Sequence, residues 1–339
     1  MTTKDLRPTA GILGCGHQLP SRVRRNDDPV FDNLDRSRNP QGIYQADMFR
    51  GLDRRYLLGP EEEVEDLMAA SCRQALDTAG VEAAGVDRLY GYASVPRFQA
   101  PNTLYRLHHR LGLREDAIVV PVNSEFTNFI LGLIQAADTV NAGHARHCLV
   151  SCGSNWTRHI DYTRGHATGI GDAAGSALVG PSERFVILDH AGSTLSGLYH
   201  ALTMGLRTVQ FNGRIHLPML EATGLPAATL EINQSGIEAL SSAIKDGVPE
   251  LVSTLLARHG ITADRIALTT HQGVRLFLDH WADRIQPMEY LETLADFGNM
   301  IAATYPVNLS HFFERITAEY LVMVGIGAGM HITAVLLRV

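Results

Sequence analysis

Apolar residues in this chain come in blocks. Short apolar runs bounded by glycine or proline alternate with longer stretches in which apolar positions recur every three or four residues, the pattern of strands alternating with helices. The sharpest block is residues 122–134. It leaves an apolar run (Ile118, Val119, Val120), crosses a polar turn (Asn123, Ser124, Glu125), and enters a stretch in which Phe129, Ile130, Leu131, Leu133, Ile134, Ala136, Ala137 and Val140 wrap most of a helical circumference. A helix apolar nearly all round is a central one. Asn123 or Ser124 is expected to cap its first turn, where the helix dipole favours an anion or a thiolate. The residue placed there is Glu125 or Phe126.

The remaining blocks follow the same grammar. Residues 9–17 read as a strand running into a glycine-rich turn; no helix opens after it, so a dinucleotide loop has no support. Residues 24–60 lack periodicity and suggest an excursion over the surface or over a substrate mouth. A helix is expected over 61–79, stopped by Gly80, then a strand over 86–93, a helix over 103–111, a strand over 147–153, a polar glycine-rich loop over 161–175 and a strand over 176–179. From Phe185 the pattern restarts. A strand (185–189), a long insert (192–234), a helix (237–259), a strand (265–270), a helix (306–316) and a strand (320–325) imply an internal duplication.

Functional groups in open α/β sheets gather beyond the carboxyl ends of parallel strands. The duplication pairs the loop at 94–101 with His271, Gln272 and Gly273, and the turn at 123–128 with residues 297–300. Twofold-related halves would bring His271, Asn299 and the Phe126 turn into one cleft. His271 is then a structural histidine or a catalytic one, and Asn299 a turn residue or an oxyanion donor.

Composition narrows the field. With 45% hydrophobic and 19% charged residues the chain can bury a large core as one unit or two fused halves. The formal charge of −7 argues against nucleic-acid or anionic-membrane partners. Lys4 and Lys245 are the only lysines, so a phosphate would be met by arginine or backbone amides. A polar N-terminus and the lack of any window of membrane-spanning length make a cytoplasmic enzyme the default expectation. Four cysteines (Cys15, Cys72, Cys148, Cys152) suggest no disulfide framework. Cys148 and Cys152, four apart in a strand, stand about 13 Å apart, too far to share an ion, so no metal is expected. No Gly-x-Ser-x-Gly elbow occurs.

Together these motifs resemble the 3-oxoacyl-acyl-carrier-protein synthase III family. The resemblance runs through residues 14–20 (Gly-Cys-Gly-His-Gln-Leu-Pro), 51–55 (Gly-Leu-Asp-Arg-Arg), Arg164-Gly165 with 171–175 (Gly-Asp-Ala-Ala-Gly), His271-Gln272, Phe297-Gly298-Asn299 and 325–329 (Gly-Ile-Gly-Ala-Gly). It implies a thiolase-like α/β fold, a duplicated five-layered α-β-α-β-α arrangement with an N-terminal half over 1–180 and a C-terminal half over 181–339. It also implies an acyltransferase or condensing enzyme with no cofactor beyond its substrate, an acyl-CoA or acyl-carrier-protein thioester.

The family's histidine and asparagine match His271 and Asn299. Its acyl-carrying cysteine, in a segment usually reading Val-x-x-x-Cys-x-Gly-Phe, is matched by Phe126, with the register held by Val122 and Phe129. A phenylalanine forms no thioester, so the covalent route is expected to be closed. Glu125 is either a partner of the helix dipole or a base for the acceptor; Ser124 and Thr127 line the pocket as less favoured substitute nucleophiles. Arg164 matches an arginine that meets the coenzyme A or carrier arm, or it pairs with Asp161 or Asp172. The family's tryptophan and arginine in the mouth segment correspond to Gln45 and Phe49. The expected assembly is a homodimer, with a heterodimer of this chain and a cysteine-bearing homologue as the alternative.

Overall fold

A computed structural model describes residues 9–34, 49–98, 100–206, 208–221 and 224–339. Gln45 lies outside them. The first part of the chain supplies β1 (Ala10–Gln18), β2 (Arg22–Arg25), β3 (Arg54–Leu57), α1 (Val64–Ala79), β4 (Arg88–Ala93), α2 (Thr103–Leu111), β5 (Ile118–Pro121), α3 (Asn128–Asn141), β6 (Cys148–Ser154) and β7 (Ala173–Pro181). The second supplies β8 (Val186–Thr194), β9 (Leu202–Leu206), β10 (Val209–Phe211), β11 (Arg214–His216), β12 (Ala228–Ile232), α4 (Gln234–Ala239), α5 (Lys245–His259), β13 (Ile266–Thr270), α6 (Arg275–Ile285), β14 (Glu289–Tyr290), α7 (Leu294–Phe297), α8 (Thr304–Phe312), β15 (Tyr320–Gly327) and β16 (His331–Arg338).

Ten strands form one mixed sheet in the order β14-β13-β15-β16-β8-β1-β7-β6-β4-β5. Read outward from the β8–β1 junction, both arms repeat one plan: two antiparallel neighbours, then two parallel pairings to the edge. The apolar pattern explains the layering. Helices α3 and α8, apolar on several sides, lie in the middle, where Phe129, Ile130, Leu133, Tyr305 and Leu309 share a core with strands of both arms. Helix α1 and α2 cover the first arm from outside, and α5 and α6 cover the second. The result is the layered, thiolase-like architecture that the motifs imply.

Several boundaries differ from the sequence expectation. Helix α3 begins at Asn128 with Thr127 as N-cap and no side-chain cap bond, so neither Asn123 nor Ser124 caps it; the Ser124 hydroxyl is engaged elsewhere, as shown below. Strand β7 begins at Ala173, inside the expected glycine-rich loop. Its Gly175 lies so close to Pro306 of α8 that a Cβ would come within 2.7 Å of the proline ring, so the small residues serve helix–sheet contact. The expected 237–259 helix begins earlier, at Gln234 with Asn233 as its cap, and passes through a π-turn (Leu240–Ile244) before α5. Helix α8 stops at Phe312. The insert carries two small hairpin-like pairs, β10–β11 and β9–β12. No described helix is long and apolar enough to cross a membrane.

Candidate functional site

The site lies where loops of the two arms meet. His271 follows β13 directly and is only 7% exposed. Its loop is held by a buried network built on Gln272. That side chain donates to Gly298 O (2.6 Å) and Thr293 Oγ1 (3.2 Å), and accepts from Thr293 N (3.2 Å) and Asn308 Nδ2 (2.9 Å). Asn308 in turn accepts from Thr293 Oγ1 at 2.7 Å. With both polar atoms of the Gln272 side chain engaged, the network ties the His271 loop to the residue before Asn299.

Asn299 is fixed from both sides. Its backbone N–H donates to Gly169 O (2.7 Å), its carbonyl accepts from Gly171 N (3.0 Å), and its Oδ1 accepts from Ile301 N (3.0 Å). Because Oδ1 is occupied, the amide presents Nδ2 as its free donor. Gly298 must be glycine: its φ is 73° and a Cβ would approach Gly169 O to 2.5 Å. Ile301, β-branched at φ 52°, is strained, and its side chain is held in the aromatic cluster described below.

Side-chain nitrogens of His271 and Asn299 both lie close to Gly273. A Cβ built on Gly273 would lie 3.3 Å from His271 Nε2 and 3.9 Å from Asn299 Nδ2, so the absent side chain leaves both exposed to the same small space. No hydrogen-bond partner among the described residues reaches His271 Nδ1. Burial lowers the His271 pKa to about 4, so the ring is neutral at neutral pH and carries one donor and one acceptor.

Phe126 closes the other side. Its ring stacks on His271 with centroids 4.9 Å apart and planes 15° from parallel. It belongs to an apolar cluster with Phe31, Trp156, Ile160, Tyr162, Ile170 and Ile301. Glu125, just before it, turns away. Its carboxyl accepts from Ser94 Oγ at 2.7 Å, and its backbone carbonyl accepts from Ala328 N. The residue keeps part of its surface, but its carboxyl group is enclosed, and burial raises its pKa to about 8 against the opposing effects of Ser94 and, outside ordinary hydrogen-bond geometry, the Trp156 indole N–H. At neutral pH it is protonated and brings no charge to the start of α3.

The other expected site residues go elsewhere. Ser124 and Thr127 point to His331, a residue that sequence reading missed because it lies in β16, which was not foreseen. Arg164 is on the surface, 3.9 Å from Asp161, whereas buried Asp172 binds Thr157 and Leu58 N. Ser94 and Trp156 were also missed, having no motif of their own. All four cysteines are free and buried, with thiols pushed up by burial, to about 11 for Cys72 and about 12 for Cys148 and further for Cys15 and Cys152. No group of three metal-ligating side chains occurs among the described residues.

A mixed sheet with this duplicated strand order and paired loops at its centre defines a thiolase-like fold. The chain superposes on the priming β-ketosynthase of the R1128 polyketide biosynthetic pathway with a TM-score of 0.81 (24% identity, 98% of this chain and 97% of that one). It superposes on 3-oxoacyl-(acyl carrier protein) synthase III of Pseudomonas aeruginosa with a TM-score of 0.79 (23% identity, 97% and 98%). In sequence it is 29% identical to β-ketoacyl-[acyl-carrier-protein] synthase III of Rhodospirillum rubrum over 88% of each chain. It is 25% identical to that of Neisseria meningitidis serogroup B over 97% and 99%. The model of the 3-oxoacyl-[acyl-carrier-protein] synthase III family matches residues 122–194 and that of its C-terminal part matches residues 256–339. By these family models and relatives the chain is similar to the condensing enzymes of the 3-oxoacyl-[acyl-carrier-protein] synthase III family.

Proposed function

We propose that this chain is an acyltransferase or condensing enzyme that acts directly on an acyl or malonyl thioester of coenzyme A or acyl carrier protein, with no acyl-cysteine intermediate. The observation that carries the reading is the pairing of His271 Nε2 with Asn299 Nδ2 around one small space while Phe126 fills the neighbouring position. A thioester carbonyl lodged there would accept from both nitrogens. Donors of this kind are worth about 3 to 4 kcal/mol each when aimed at the oxyanion or enolate of the transition state. Phe126 offers no nucleophile, and burial keeps the four thiols protonated at neutral pH. Acyl transfer therefore passes to the acceptor without a cysteine carrier.

In this reading His271 takes or gives the proton at the reacting carbonyl. Phe126 shapes the pocket, and exposed Arg164 meets the phosphates of the carrier arm. The thioester is the substrate, and no further cofactor is required. A cytoplasmic homodimer is the working assembly: edge strand β5 leaves one side unpaired, with Ile118 exposed, for a second copy. Purified chain with a panel of acyl and malonyl thioesters should turn over, and His271→Ala should remove that turnover; unchanged turnover in His271→Ala would refute the reading. The ring of Phe126 packed on His271 also fits a degenerate subunit supporting a cysteine-bearing homologue. A chain that is inactive alone and soluble only with that homologue would select this alternative.

A further inference from the structure

The turn before α3 holds a second constellation that the proposed reaction does not use. His331, the first residue of β16, places Nδ1 3.1 Å from Ala328 O. A carbonyl only accepts, so Nδ1 carries the proton and Nε2 presents its lone pair. That lone pair faces two hydroxyls, Thr127 Oγ1 at 2.7 Å and Ser124 Oγ at 3.2 Å, which are themselves 3.0 Å apart. A hydroxyl within reach of an imidazole acceptor whose far nitrogen is held by a third group is the arrangement that activates a nucleophile.

The two hydroxyls are not equivalent. Thr127 is fully buried, whereas Ser124 keeps part of its surface open. Only Ser124 can meet a substrate; Thr127 is placed to relay its proton. Helix α3 starts at Asn128, four residues beyond Ser124 along the chain, with the positive end of its dipole towards this turn. Burial lowers the His331 pKa, which keeps the ring neutral and able to accept. Two residues of chain, at most about 7 Å, separate Ser124 from Phe126, whose ring packs on His271.

We propose that Ser124, with His331 as its base, is an acyl-accepting site that takes the acyl group of a thioester as an oxyester. Ser124 Oγ forms a bond to the thioester carbonyl carbon, and its proton passes to His331 Nε2, directly or through Thr127. The carbon–sulfur bond breaks, and the thiolate leaves with the proton from His331 as free thiol. The inference rests on the thioester reading above and gives the acyl group a resting place other than cysteine.

The test is to incubate the full chain with acetyl-, malonyl- and hexanoyl-coenzyme A, quench in acid, and locate any added acyl mass by peptide mapping. The expected result is one acyl group on the peptide containing Ser124. It should be stable to neutral hydroxylamine, absent in Ser124→Ala, and formed at least about 100-fold more slowly in His331→Gln, the scale of a lost general base. Ser124→Cys guards against a folding artefact: it should take the label as a thioester that neutral hydroxylamine releases. A Ser124→Ala variant with wild-type melting temperature and wild-type labelling would overturn the proposal, as would wild-type turnover with no label on Ser124. Loss of turnover in His271→Ala with Ser124→Ala fully active would overturn this inference alone. Label on Ser124 without turnover would support it and refute the transferase reading.

Discussion

The two arms of the sheet offer equivalent turns at the centre of the molecule, and they have diverged in opposite directions. On the second arm, the turn around Asn299 and the loop of His271 are polar, fully braced and aimed at a common space through Gln272, Thr293 and Asn308. On the first arm, the turn before α3 presents an aromatic ring, turns its carboxyl group inward and sends its hydroxyls to His331. One half carries the His271 and Asn299 pair that the proposed function assigns to a carbonyl, while the other places the Phe126 ring beside it. Stabilising a charge and supplying a nucleophile are separable tasks, and the proposed function assigns them to different parts of the molecule.

The comparison can be broken from the polar side first. If His271 and Asn299 hold the reacting carbonyl, His271→Ala should lower kcat/KM by 100-fold or more and Asn299→Ala by about 100-fold to 1000-fold, in line with the loss of single oxyanion donors. Steady-state kinetics on the best thioester of a panel would check both. The melting temperature of His271→Ala should change little beyond the lost ring stack, since among the described residues Nδ1 has no partner to strand.

The apolar side comes next. Phe126→Ala removes a buried ring and should cost about 3 to 5 kcal/mol of stability, readable in denaturant unfolding. Phe126→Cys should lose somewhat less and become acylated at residue 126, because the new thiol would stand beside His271. If Phe126→Cys is stable but never acylated, the alignment of Phe126 with the nucleophile position is wrong.

Protonation gives a smaller test. Glu125, raised to about 8, binds its proton more tightly in the folded chain than in the unfolded one, so its contribution makes stability fall as pH rises from about 4.5 to about 8. His271, lowered to about 4, acts in the opposite sense: stability falls as pH drops from about 6.5 towards 4. Glu125→Gln should flatten the first slope and leave the second unchanged, as read from stability against pH in denaturant unfolding. Arg164→Ala should have the smallest effect, well under 1 kcal/mol on stability for an exposed pair, and should raise KM only if the arginine meets the carrier arm.

The strand and helix alternation was legible because each buried element carries a long apolar signature, as in residues 128–140, and because Gly80 and Gly260 terminate helices in the left-handed conformation that suits glycine. His271 and Asn299 could be singled out from their places after strand β13 and in the matched turn. The start of α3 was misplaced because Ser124 looked like a free capping hydroxyl, and its actual partner, His331, is 207 residues away. Likewise Ser94 and Trp156 gather around Glu125 only through tertiary packing. No local pattern encodes that a carboxyl group will be enclosed and therefore neutral. Helix α6 and strand β16 were missed where polar residues in the former and the preceding glycines of the latter interrupted the apolar pattern.

Location of the acyl group during turnover tests the central claim most directly. Wild-type chain caught in the act on an acyl or malonyl thioester, acid-quenched and peptide-mapped, should form product while Cys15, Cys72, Cys148 and Cys152 all remain unacylated. A kinetically competent acyl group on any of those four cysteines would contradict the account.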